Sequence, residues 1–422
     1  MINVNDVTIN EQQSVDCQYY LPEEFNSTLT DNYCTNFGLF YSNARSLVKN
    51  YDKICSLLSD ITFPFSVIGI TETWLTDNSP NLFEIHNYSF FHHDRQTKRG
   101  GGVALYILQT LSYKARLDVH LLNNSAELLC VEIDMGKEKN IIICVIYRPP
   151  NNNNIDLFLS DIDTLLHNLN DENKVICLMG DYNIDLMKDN NNTNRLRTLM
   201  YSNALFPTID KPTWIDTRSS SLIDNIFINI DIGLLRSGLI YSEISDHLPL
   251  FLILEKILKP PKTNKKVKVR RFTERNISRL IENLESENWE DVLSCNNTDD
   301  AYCLFWTKFE SYFNTCLPKL NNRGKYKQPI NPWVTKGILT SIRKRNKLYK
   351  LSLNHPTPSH IRSYRKYRNK LTSTIRLSKK LYFSNKLKNA EGNISSTWNV
   401  IKELLNKKSR TPTQQTFNIN GH

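Results

Sequence analysis

Between residues 37 and 256, apolar runs of strand length recur at 37–41, 67–70, 103–107, 128–133, 141–147, 175–179, 222–228 and 248–254. Most are rich in β-branched residues and bounded by Gly, Pro, Asn or Asp, which predicts buried strands. Helical periodicity falls between others, at 46–59, 156–169 and 194–202. The polar stretch 134–140 separates two strand patterns as a hairpin loop would, so the sheets are not wholly parallel. This alternation predicts one α/β domain over residues 37–256, with mixed sheets. Residues 1–36 lack periodicity and read as an acidic, disordered leader. Pro260-Pro261 and a lysine cluster predict a linker at 257–272. Residues 273–410 read as a helical connector, with helices at 276–290, 301–316, 335–353 and 361–389, and 411–422 as a tail. Within the last helix Tyr364, Tyr367, Leu371, Ile375 and Tyr382 fall on one stripe.

Charge divides the chain in the same places. Residues 1–36 hold six acidic side chains and no Lys or Arg, and residues 37–258 hold 26 acidic and 19 basic. Residues 259–422 hold 34 basic and 11 acidic, so the net +10 of the whole chain conceals a strongly basic C-terminal part. Such asymmetry points to a polyanion partner for that part, with phosphate contacts along the last helix. The basic cluster at 262–271 suits either a localisation signal or a plain linker. No run approaches the roughly 20 apolar residues of a membrane span, and the first residues do not resemble a signal peptide. An intracellular protein without a membrane partner is therefore expected. The nine cysteines form no C-x-x-C pair, which argues against a disulfide scaffold or zinc site. Cys130, Cys144 and Cys177 read as small core residues.

Chemistry gathers at strand ends. Gly180-Asp181-Tyr182-Asn183 ends one apolar run, and Ser245-Asp246-His247 precedes another. Together with Glu72 they supply the groups needed to cut a phosphodiester with a divalent metal. His247 suits the general base, and Asp224 the carboxylate that fixes its tautomer. Glu72, with Asp181 or Asp246, suits Mg²⁺. Asn183 can donate a neutral hydrogen bond to phosphoryl oxygens. Asn43 and Tyr147 end strands on the same expected rim. Taken singly, each has a plainer use: Asp181 as a helix cap, Tyr147 as an aromatic lid on the core, Glu72 as a surface carboxylate. Their co-occurrence at strand ends of one domain favours the catalytic use.

The order Asn43, Glu72, Tyr147, Gly180-Asp181-Tyr182-Asn183, Asp224, Ser245-Asp246-His247 resembles the endonuclease/exonuclease/phosphatase superfamily. More narrowly, Asn43-Ala44-Arg45-Ser46-Leu47, Thr71-Glu72-Thr73-Trp74-Leu75, Arg99-Gly100-Gly101-Gly102-Val103 and Tyr147-Arg148-Pro149-Pro150 are similar to the endonuclease of LINE-type (non-LTR) retrotransposons. The resemblance covers about residues 37–256. It implies a four-layer α/β sandwich and metal-dependent nicking of one DNA strand, with Mg²⁺, or Mn²⁺ in its stead, on Glu72. It further implies His247 as base held by Asp224, Asp181 and Asn183 positioning water and stabilising the transition state, and Asp246 and Tyr147 touching metal or phosphate. Arg45, Arg148 and Ser245 are candidate DNA contacts, as are Trp214 and Arg218 in the segment 212–221.

Arg45 stands where repair enzymes of the superfamily often carry an acidic residue, which favours a plain nickase over an abasic-site enzyme. Asn331-Pro332-Trp333 and Trp398-Asn399-Val400-Ile401 resemble the connector that precedes a reverse transcriptase. No Tyr/Phe-x-Asp-Asp motif follows, so a chain truncated before the polymerase is expected. In an intact element the nick would prime reverse transcription, with nuclear DNA as target and element RNA as a further partner of the basic region. The alternatives are a phosphomonoesterase or phospholipid phosphodiesterase of the same fold, and a catalytically decayed nucleic-acid-binding fragment.

Overall fold

A computed structural model describes residues 17–29, 36–76, 83–95, 100–123, 125–136, 138–150, 154–216, 219–230, 235–258, 268–270, 273–321 and 331–404. The first elements are β1 (Gln18–Tyr20), α1 (Pro22–Thr28), β2 (Asn36–Asn43), α2 (Leu47–Asp60), β3 (Val67–Thr71), β4 (Tyr88–His93), β5 (Val103–Leu108), β6 (Tyr113–Ala115) and β7 (Glu127–Ile133). They are followed by β8 (Ile141–Tyr147), α3 (Ile155–Asn170), β9 (Val175–Asp181), α4 (Asn191–Ser202), β10 (Phe206–Pro207), β11 (Trp214–Ile215), β12 (Ser220–Ser221), β13 (Asp224–Ile228), β14 (Leu235–Ile240) and β15 (Leu250–Leu258).

Two large mixed sheets face each other. One runs β1-β14-β15-β2-β3-β5-β4 and the other β10-β13-β9-β8-β7-β6. β8 is buried at every position, which explains its unbroken apolar sequence, and each fully buried side chain there stabilises by about 1.5–3 kcal/mol. The sheets approach closely at Gly69 of β3, where a Cβ would come within 2.7 Å of the Met179 sulfur on β9. The flanking helices complete an α/β sandwich of the expected class.

Two crossover units set up the rim. β2 and β3, joined through α2, pair in parallel, as do β8 and β9, joined through α3. Parallel partners end on the same side. Asn43 and Glu72 therefore emerge together from one sheet, and Tyr147 and Asp181, directly opposite in register, from the other.

Three expected boundaries change. Residues 1–16 and 30–35 of the expected leader, and the expected tail at 411–422, lie outside the described residues, but residues 18–28 are structured: β1 pairs with β14, and Phe25 of α1 is buried against Phe65 and Phe251. Their short apolar positions lack periodicity because each anchors separately on a preformed sheet. The linker expected at 257–272 lies mostly outside the described residues, but β15 reaches Leu258 and residues 268–270 form β16 (Lys268–Arg270). The helical connector is not one body. Residues 262–327 form a compact unit of their own, with β16, α5 (Glu274–Ser286), α6 (Glu290–Leu293), α7 (Thr298–Cys316) and β17 (Lys319–Asn321). Residues from 328 onward belong to the same unit as the sheets.

That second stretch contains α8 (Lys336–Asn354), α9 (Pro358–Asn389) and α10 (Ile394–Leu404). Tyr349 of α8 stacks edge-on against Tyr241, and Tyr349 and Tyr364 both join the core of the sandwich. Around them the basic helices meet acidic partners of the α/β domain. Arg345 pairs with Glu243 at 3.1 Å, Lys350 with Glu24 at 2.8 Å and Lys379 with Asp52 at 2.7 Å. Part of the charge that suggested an external polyanion is therefore neutralised within the fold. Among the described residues, no helix is long and apolar enough to cross a membrane.

Candidate active site

Gly180 lies opposite Ile146 in the β8–β9 ladder, and a Cβ there would fall 2.0 Å from the Ile146 carbonyl oxygen. Only glycine lets the two strands close up at this level, and Asp181 follows at the rim. Asp181 is buried, and its Oδ1 accepts the Asn183 backbone N–H at 3.0 Å. Its Oδ2 accepts Asn43 Nδ2 at 2.9 Å, and the same nitrogen lies 2.9 Å from Glu72 Oε1. One side-chain amide thus bridges carboxylates from the two sheets. The second oxygen of Glu72 accepts the Trp74 indole N–H at 3.1 Å.

Asp224, at the start of β13, is fully buried beside Asp181 in register. Its Oδ2 lies 2.7 Å from His247 Nδ1 and accepts the Thr213 hydroxyl at 2.6 Å, while its Oδ1 accepts the Tyr41 hydroxyl at 3.1 Å. These contacts assign the Nδ1 proton to the Asp224 bond, leaving Nε2 as the acceptor of a neutral ring. Burial opposes charge on His247, but the Asp224 carboxylate beside it, with Asp181 and Asp246, lifts the imidazole to about 10. Asp181 is pushed well above the usual carboxylate range, first by burial and then by the charge of Asp224. Tyr147 is raised likewise by burial and by Glu72 and Asp181. The Arg95 guanidinium lies 5.6 Å from the Tyr147 ring centre.

Strain concentrates here. Arg45, Ser46, Glu72, Trp74 and Asn183 all have positive φ, between 42° and 88°. Non-glycine residues seldom adopt this region, and such outliers persist where surrounding structure dictates them.

Asp181, Asp224 and His247 can bring ligand atoms within 4.8 Å of one another. Asp224 is the poorer ligand of the three, because its two oxygens already hold three side-chain partners, Tyr41, Thr213 and His247, whereas Asp181 has two partners. Asp181 and Glu72 share one amide donor between them, and Asp246 Oδ1 is buried with no hydrogen-bond partner. This surplus of oxygen acceptors fits a hard divalent cation. Glu72 and Asp181, both within 2.9 Å of one amide nitrogen, would hold such a cation and let it supply Lewis acidity and charge neutralisation, whereas Asp246, expected beside them, is not in the group whose ligand atoms come within 4.8 Å of one another.

The expected DNA contacts divide. Arg45 is exposed and pairs with Asp246. The Trp214 indole donates to Asp246 Oδ2 at 3.2 Å. Ser245 Oγ donates to the Asn43 carbonyl at 2.6 Å and accepts the His247 N–H at 3.1 Å, so it ties two rim segments together. Arg148 is buried rather than surface-facing. Its guanidinium approaches the Tyr182 and Asn183 carbonyls, and its own carbonyl accepts Asn183 Nδ2 at 2.7 Å, which makes it a brace for the Asp181–Asn183 segment. Arg218 lies outside the described residues. Tyr41 and Thr213, both bonded to Asp224, went unnoticed in the sequence. Tyr41 shares the strand parity of Asn43 and could have been found by it; Thr213 sits in a loop with no such signal.

The sequence pattern of the endonuclease/exonuclease/phosphatase family matches residues 35–247. Among solved structures, the endonuclease domain of TRAS1, a telomere-specific non-LTR retrotransposon, is 17% identical, with 52% of this chain and 100% of that chain covered and a TM-score of 0.41. The 3′ phosphatase NExo from Neisseria, bound to product DNA hairpin, is 15% identical over 51% of this chain and 98% of that one, with a TM-score of 0.40. An AP endonuclease from Archaeoglobus fulgidus is 15% identical over 52% and 99%, again with a TM-score of 0.40. None of the curated proteins matches the chain.

Proposed function

For a chain that belongs to the endonuclease/exonuclease/phosphatase family, we propose metal-dependent hydrolysis of DNA phosphodiesters, nicking one strand of a duplex. The observation that carries the reading is the joining of two devices at one rim. His247, held by Asp224 at 2.7 Å, stands beside the Glu72–Asn43–Asp181 cluster.

In this reading a cation on Glu72 and Asp181 would offset part of the negative charge that keeps His247 protonated in the metal-free chain, and Nε2 of the neutral ring takes the proton of the attacking water. Asp224 keeps the ring in the required tautomer and stabilises the imidazolium that forms. The pairs Tyr41–Asp224 and Thr213–Asp224 hold that carboxylate still. Asn183 keeps one amide hydrogen on the Arg148 carbonyl and offers the other to a phosphoryl oxygen. The Tyr147 hydroxyl, held protonated by its surroundings, donates to the same group. Mg²⁺ on Glu72 and Asp181, with Mn²⁺ as a substitute, would offset the charge growing on the phosphate.

The motifs at 43–47, 71–75, 99–103 and 147–150 support the narrower role of a LINE-type retrotransposon endonuclease acting on nuclear DNA, where the nick exposes a 3′ hydroxyl for reverse transcription. The test uses the full chain on supercoiled plasmid, with Mg²⁺ or chelator, beside His247→Ala and Glu72→Ala. Open circles should form with wild type and metal alone. Intact plasmid together with turnover of inositol phosphates or sphingomyelin would replace this reading with a phosphoesterase of the same fold.

A further inference from the structure

A cavity of about 570 Å³ lies beside the candidate site, between its rim and the α8–α9 hairpin. Arg45, Lys49 and Asp246 line it from the sandwich, and Tyr364, Arg365 and Arg368 from α9. Ser245 and Trp74 also border it, so it is continuous with the residues that hold Asn43 and Glu72. Its volume falls in the roughly 300–1,000 Å³ range of sites that enclose a ligand of modest size, the scale of one or two nucleotides.

The charge of this cavity favours an anion. Arg345 and Arg368 pair with its Glu243, and Arg45 pairs with Asp246. Of the other charged residues lining it, Lys53 is balanced in charge by the carboxylate of Asp216, and Lys49 and Arg365, both exposed, leave two positive charges in excess. On α9 the spacing of Ile361, Tyr364, Arg365 and Arg368 puts them on one face toward the cavity, while Arg362 and Lys366 lie off it.

We propose that this cavity holds the DNA strand continuing from the scissile phosphodiester, with Lys49 and Arg365 on successive backbone phosphates. The C-terminal hairpin is then the second wall of the substrate groove. The inference rests on the nuclease reading above. The cavity shares Ser245 and Asp246 with the rim, so a strand lying in it leads directly to His247, and the choice of DNA over RNA follows from that reading.

Binding tests it without turnover. The full chain in chelator is titrated with fluorescent single-stranded DNA over a series of salt concentrations. Lys49→Glu/Arg365→Glu is compared with Arg362→Glu/Lys366→Glu, which makes the same charge change on and near α9 but outside the cavity. Arg365→Gln is the milder variant, and thermal melting checks that each is folded. The cavity pair should weaken binding at least about tenfold and lower the log–log salt slope by about 1.4, the loss of two single-strand phosphate contacts. The outer pair should do distinctly less. Equal losses from both pairs, no effect of Arg365→Gln, or no DNA binding by wild type would overturn the proposal. Tighter binding of RNA of the same sequence would overturn the choice of DNA. A chain that binds in this pattern yet never nicks plasmid would refute the nuclease reading alone.

Discussion

His247 Nδ1 lies 2.7 Å from Asp224 Oδ2, and both side chains are buried. The carboxylate is fixed from behind by Tyr41 and Thr213, so the imidazole cannot turn without breaking a bond in a closed network. Asp224→Asn replaces an acceptor oxygen with a donor, which favours the wrong ring tautomer. The nicking rate should fall by about 10³-fold or more, with far-UV circular dichroism unchanged. Single-turnover kinetics measure it, and a loss of less than tenfold would remove His247 from the role of base.

In the metal-free chain stability should fall as pH rises. The folded-state value for His247, about 10, exceeds its ordinary 6.5, so its contribution is complete below 6.5 and lost as pH rises through 10. Asp181, raised above its ordinary 3.8, retains a proton that the unfolded chain has released, which adds a fall of the same sign. A tenfold difference in proton affinity between the folded and unfolded chain is worth about 1.4 kcal/mol, so the urea unfolding energy in chelator should drop by more than about 1 kcal/mol between pH 6 and pH 9. His247→Ala should flatten the curve. Added Mg²⁺ should offset the drop, because a cation binds the deprotonated carboxylates. A metal-free curve that rises over this range would contradict the buried imidazolium.

Asn43 gives the metal-free site its one shared donor between Glu72 and Asp181, at 2.9 Å from each. Asn43→Ala leaves both carboxylates without it and should cost about 1–3 kcal/mol in chelator. Ca²⁺ or Mg²⁺ should restore more stability to this variant than to wild type. Equal gains in the two proteins, read from thermal melts with and without metal, would show that no cation replaces the amide.

The sequence revealed the sheets and the rim wherever one residue's environment was uniform along an element. β8 and β9 are buried on both faces, so their apolar runs and the polar residues ending them were legible. β4, with only its first residue fully buried, was not. Arg148 looked like a surface cation because burial of an arginine depends on carbonyls supplied by residues 182 and 183. The share of the helices' charge that is neutralised within the fold could not be read, because the acidic partners Glu24, Asp52 and Glu243 lie far away in sequence. Long-range pairing of this kind leaves no local pattern.

Phe25 extends the functional unit upstream of the first long strand. Its ring packs 4.8 Å from Phe251 and 6.1 Å from Phe65, and it is 1% exposed. Leu21 is buried beside it, its carbonyl accepting the Phe25 N–H at 2.9 Å, Cys17 is buried just before β1, and β1 adds an edge strand beside β14. Phe25→Ala should therefore cost about 3–5 kcal/mol, the range for a buried aromatic ring. A fragment starting at residue 37 loses Cys17, Leu21 and Phe25 together and bares the β14 edge, so it should unfold at lower urea than one starting at residue 17. Nuclease assays on the shorter fragment would then report instability rather than chemistry. Equal urea midpoints for the two fragments, with a Phe25→Ala cost under about 1 kcal/mol, would return this segment to the role of a dispensable leader.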